Sequence, residues 1–94
     1  MRLDNVTPGQ IRAARSLLGW SSRALVERSG VSAATIKRLL AADNVDKVPI
    51  RMGNFIRLIS VLEDAGAIFF HDEDHCGVMV RKDYRLSKDA VSVD

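Results

Sequence analysis

The sequence predicts a mainly α-helical domain of four to five short helices, followed by a C-terminal β-hairpin. Three observations predict it. Apolar residues recur at helical spacing over about residues 8–65, interrupted by single glycines at Gly19 and Gly30. Hydroxyl residues that can accept from free amides stand where three of those helices would start: Thr7, Ser21 and Ser32. Two strand-forming runs, Ala67-Ile68-Phe69-Phe70 and Val78-Met79-Val80, then flank a polar stretch.

The first helix opens at Thr7-Pro8-Gly9-Gln10. Thr7 caps, Pro8 sits where a missing amide hydrogen costs nothing, and Gln10 can close a capping box. Ile11, Ala14, Leu17 and Leu18 follow helical spacing, with Arg12 and Arg15 expected outside. Gly19 stops the helix, and Trp20 reads as an apolar wedge at the corner rather than a base-stacking platform. Residues before Thr7 read as a loose lead-in.

Ser21 to Leu40, SSRALVERSGVSAATIKRLL, holds two short helical patterns meeting at Gly30. Glycine accepts the left-handed backbone that ends a helix, and Val31 can fold back as the apolar contact of that turn. In the second half Ile36, Leu39 and Leu40 should face inward, leaving Thr35, Lys37 and Arg38 on other faces. Helix, glycine turn, and short helix with basic residues outside is the layout of a helix-turn-helix. Residues 41–49, AADNVDKVP, read as a loop. A fourth helix is expected from about Arg51 to Ala65. Met52, Phe55, Ile56, Ile59 and Leu62 form its main apolar stripe, with Leu58, Val61 and Ala65 extending it to one side. So broad an apolar arc predicts burial of more than one face. Residues 67–81 read as the hairpin, turning through His71-Asp72-Glu73-Asp74-His75-Cys76-Gly77. Residues 83–94 are expected to form a mobile tail, leaving 1–82 as one domain.

A chain of 94 residues suits one core, and 47% hydrophobic with 28% charged residues is ordinary for a soluble domain. No apolar run is long enough to span a bilayer, and MRLDNVTPG carries no signal-peptide core, so a cytoplasmic protein without membrane partners is expected. Cys76 is the only cysteine, which excludes an intrachain disulfide. The net charge of +2 conceals an asymmetry. Residues 1–51 hold nine Lys/Arg against four Asp/Glu, and residues 52–94 five against eight. A basic half points to a polyanionic partner.

The run IRAARSLLGWSSRALVERSGVSAATIKRLL resembles the lambda-repressor-like, Xre-type transcriptional regulators, most specifically in L-V-x-x-x-G-V-S-x-x-T-I from Leu25 to Ile36. The resemblance extends from Thr7 to about Phe70. It implies a lambda-repressor-like bundle that binds double-stranded DNA as a homodimer at paired half-sites, with about Ser32 to Leu40 in the major groove. It places Ala33, Ala34 and Arg38 at base-facing positions, with Lys37 nearby. Two positions depart from the family pattern. Ser22 stands where glutamine usually braces the recognition helix and a phosphate, and Val26 where alanine lets the two helices cross closely.

Chemistry then assigns roles. Alanines can contact only thymine methyls, whereas Arg38 can grip guanine bidentately. Ser22, Arg23, Ser32, Thr35, Lys47 and Arg51 are expected phosphate contacts. Leu58, Val61, Ala65, Phe69, Val78 and Val80 are the expected dimer surface. His71, Asp72, Glu73, Asp74, His75 and Cys76 include metal-ligating types, but adjacent turn residues splay apart, so neither metal nor cofactor is expected. No nucleophile–base pair, phosphate loop or dinucleotide fingerprint points to an enzyme. The competing reading is a protein-binding module on the same scaffold, an antitoxin or antiactivator engaging a second protein.

Overall fold

The computed structural model describes residues 6–42 and 50–82. Among them are four helices, α1 (Pro8–Leu18), α2 (Ser22–Ser29), α3 (Ala33–Ala41) and α4 (Met52–Asp64), and two strands, β1 (Ala67–His71) and β2 (Cys76–Val80). The fold is thus mainly helical, closed by a two-stranded antiparallel hairpin. The 41–49 loop beyond Ala42 and the 83–94 tail lie outside the described residues.

Local chemistry sets the helix boundaries. Thr7 Oγ1 accepts from Gln10 N at 3.2 Å while Gln10 Oε1 accepts from Thr7 N at 2.9 Å, closing the capping box. Ser21 Oγ accepts from Ala24 N, and Ser32 Oγ from Thr35 N. Gly19 (φ 73°) and Gly30 (φ 74°) end α1 and α2 in the left-handed region. Both are penalised for a residue bearing a Cβ.

The core joins all four helices to the hairpin: Ile11, Ala14, Leu18, Trp20, Leu25, Val31, Ile36 and Leu39 meet Phe55, Leu58, Ile59, Leu62, Ala65 and Phe69. Trp20 fills the corner after α1, with the Arg28 guanidinium 4.5 Å above its ring. Val6 is buried in the same cluster, so the lead-in expectation fails at that residue.

Several expected faces are corrected. On α4 the inward stripe is Phe55, Leu58, Ile59 and Leu62, while Met52 (57% exposed) and Ile56 (43%) face solvent. At 100° per residue Ile56 lies well off the centre of that stripe, and Met52, though near its edge, sits on the open first turn of the helix. Leu17 is exposed as well. Arg12 and Arg15 turn inward instead of outward. Arg12 Nη1 donates to Leu40 O (3.2 Å) and Ala42 O (2.6 Å), satisfying carbonyls at the end of α3, and Arg15 Nη1 donates to Trp20 O (2.7 Å).

The two strands are longer than expected and the turn between them shorter. His71 pairs with Cys76, so both belong to strands, and the turn shrinks to the residues between them. Asp72 Oδ1 organises that turn, accepting from Asp74 N (2.8 Å) and His75 N (2.6 Å) and lying 3.0 Å from His75 Nδ1. The Asp74 amide first, then the His75 imidazole and amide, hold the Asp72 carboxyl below its ordinary pKa. Ala67, Phe69, Val78 and Val80 form the inner hairpin face, while Ile68, Phe70 and Met79 are exposed on the outer one.

That arrangement corrects the expected dimer surface. Leu58, Ala65 and Phe69 are buried inside the chain, and Val61, Val78 and Val80 are half-buried against the same core. The apolar surplus read from these residues closes the fold instead.

Candidate nucleic-acid interface

The α2–turn–α3 unit is positioned by its own caps and by the core beneath it. Leu25, Val31, Ile36 and Leu39 anchor it, and the Arg12 bonds tie the end of α3 to α1. With Ile36 and Leu39 turned inward, helical geometry leaves Ala33, Ala34, Lys37 and Arg38 exposed. All four expected base-facing residues therefore lie on accessible surface. Their mixture of two methyl groups and two cations offers no hydrogen-bond acceptor.

The expected phosphate contacts divide. Ser22 and Arg23 are exposed on the first turn of α2. Arg23 Nε lies 3.3 Å from Glu27 Oε2 in an (i, i+4) surface pair, a weak contact that solvent and salt screen. Ser32 is exposed, but its hydroxyl is engaged: it accepts from Thr35 N and donates to Thr35 Oγ1 at 2.9 Å. Thr35 is half-buried, and its Oγ1 accepts that bond. Arg51 is exposed as the N-cap of α4, with no side-chain cap bond. Lys47 lies outside the described residues.

Four of these residues are brought together. Ser22, Arg23, Ala33 and Lys37 line one open groove of about 630 Å³ between α2 and α3. Val26, Ile36, Leu40 and Ala41 complete its walls. Sequence reasoning missed this groove. The spacing turns Leu40 inward with Ile36 and Leu39, whereas that side chain is half-buried at the edge of the core. The helical spacing of Ala33, Lys37 and Leu40 was a usable signal, but whether α2 covers that face depends on the crossing of two helices.

Among the described residues no group of three His, Cys, Asp or Glu side chains converges to hold a metal ion, and no helix is long and apolar enough to cross a membrane. His71 and His75 are exposed at the hairpin end, as is Cys76. No protein-family model matches the chain, and no curated protein matches it in sequence.

Proposed function

We propose that the chain is a sequence-specific DNA-binding transcriptional regulator of the lambda-repressor-like, Xre type. It acts in the cytoplasm as a homodimer, with α2 and α3 as the helix-turn-helix and α3 in the major groove. The observation that carries this reading is the α2–Gly30–α3 unit, capped at both serines and exposing Ala33, Ala34, Lys37 and Arg38 together. The excess of cations in residues 1–51 supplies a matching field.

In this reading Arg38 is the polar probe, reaching O6 and N7 of a guanine, while Ala33 and Ala34 allow close approach or touch thymine methyls. Lys37 lies beside Arg38 on the base-facing side, while Arg23, Arg51, Ser22 and Thr35 contact phosphates and set the register. With so few base-specific donors, affinity draws on phosphate neutralisation, DNA shape and a second copy of the helix. The exposed outer hairpin face, Ile68, Phe70 and Met79, is the apolar surface open to that second copy.

Fluorescence anisotropy with duplexes from the region upstream of the gene tests the reading. Binding should weaken steeply as salt rises, because cations that neutralise phosphates release counterions. No binding to any such duplex at low salt would remove the proposal.

A further inference from the structure

Five of the eight residues lining the open α2–α3 groove of about 630 Å³ are aliphatic: Val26, Ala33, Ile36, Leu40 and Ala41. A DNA major groove offers only thymine methyls as apolar groups, which cannot fill such a floor. Its polar rim consists of Ser22, Arg23 and Lys37, so both charged side chains lining it are cations. The walls are helices of eight and nine residues. The lining runs from Ala33 to Ala41 on α3, about 12 Å at 1.5 Å per residue, and from Ser22 to Val26 on α2, about 6 Å. An amphipathic helix presents anchors at i, i+3 or i+4, and i+7 over roughly 10 Å, which the α3 wall matches in length. Charge then selects the flanks of the guest. The Arg23–Glu27 pair is solvent-exposed and weak, so a carboxylate from a partner can replace Glu27 there.

We propose that this groove docks an amphipathic helix of a partner protein, apolar anchors on the aliphatic floor and acidic residues facing Arg23 and Lys37, and that the docked helix excludes DNA. The exclusion rests on the DNA-binding reading, because Ser22, Arg23, Ala33 and Lys37 serve both ligands. The docking does not.

The probe is a fluorescein-labelled synthetic helix of about 16 residues with Leu and Phe along one stripe and Glu on both flanks. A Lys-flanked version and a scrambled version serve as controls. The Glu-flanked helix should bind at least about ten-fold more tightly than either control. Amide shifts in the full chain should concentrate at Val26, Ala33, Lys37 and Ala41. Ala33→Glu and Lys37→Glu alter only exposed side chains, and each should weaken the Glu-flanked helix with unchanged circular dichroism. Equal binding of Glu- and Lys-flanked helices overturns the docking. So do shifts confined to other surfaces, or the same shifts produced by raising the protein concentration alone, which would mean a second copy.

A labelled duplex from upstream of the gene forms the second arm. Its displacement by the Glu-flanked helix supports the exclusion, and a ternary complex overturns it. Helix binding with no duplex binding at all supports the docking and removes the DNA reading instead.

Discussion

An amide side chain offers an acceptor and two donor hydrogens, and Gln10 uses all three. Its Oε1 closes the cap of α1, while Nε2 donates to Phe70 O (3.0 Å) and Gly77 O (2.8 Å) across the hairpin. The side chain is 3% exposed, so no water replaces those bonds. Gln10→Glu turns the donor into an oxygen facing two carbonyls. It should cost about 1–3 kcal/mol at pH 7, and more than Gln10→Leu. Burial raises the carboxyl pKa of that glutamate, so the penalty should ease as pH falls and the group protonates. Urea melts at pH 7 and pH 4 measure both effects, and equal losses at the two pH values would refute the assignment. The capping half of this role is visible in a Thr-x-x-Gln spacing. The other half spans 60 and 67 positions, and no local pattern encodes it. Arg38 makes a second single-residue case. Arg38→Ala should relax discrimination at one base pair by about 1–3 kcal/mol, whereas Arg23→Ala should weaken all duplexes alike. Competitive anisotropy against single-base variants separates the two.

Helix α3 owes its start to Ser32 and its approach to Gly30, whose positive φ sets the angle between α2 and α3. A Cβ at Gly30 meets nothing within 4 Å, so Gly30→Ala should cost only the backbone strain, about 1–2 kcal/mol, in a thermal or urea melt. Gly77 differs in kind. There a Cβ would stand 2.8 Å from the Phe70 ring, so the ring itself must move. The hairpin turn carries a pH dependence of its own. Because the folded Asp72 pKa is depressed, its bonds contribute fully above the unfolded value and are lost as pH falls through the folded one. The Asp72 carboxyl carbon should therefore titrate at lower pH in the folded chain than in urea, and coincident NMR titrations would refute it. Helix α4 shows the limit of pattern reading. Its period was plain in Phe55, Ile59 and Leu62, yet Met52 and Ile56 are equally apolar and face out.

The molecule leaves its remaining large apolar groups on the outer hairpin and on two helix flanks. Ile68, Phe70 and Met79 share one hairpin face, and the Phe70 ring lies over Gly77. An exposed apolar strand face with an open edge invites pairing with another chain. Phe70→Lys and Met79→Lys should therefore shift a homodimer to monomer in analytical ultracentrifugation, with the fold intact because neither side chain serves the core. Binding to paired half-sites, about 34 Å apart, should then fall more than binding to one half-site. Wild-type protein that sediments as a monomer both alone and on DNA would refute the dimer.

Where helices begin and end was readable from residues a few positions apart, because caps, glycine stops and the 3.6-residue period act within one or two turns. Thr7, Gly19, Ser21, Gly30 and Ser32 all behave as their neighbours dictate. Lys37 and Arg38 were readable as exposed for the same reason, since Ile36 and Leu39 face inward on the same short helix, whereas Ala33 and Ala34 were placed outward by the family resemblance. Everything that depended on which elements meet was settled by packing. The inward side of α4, the burial of Leu58, Ala65 and Phe69, the second role of Gln10 and the inward turn of Arg12 join residues far apart in the chain. A side chain's type says that it can be buried or bonded, but only the neighbour that covers it decides whether it is. The groove between α2 and α3 follows the same logic, since its floor exists only where two helices cross and leave aliphatic side chains uncovered.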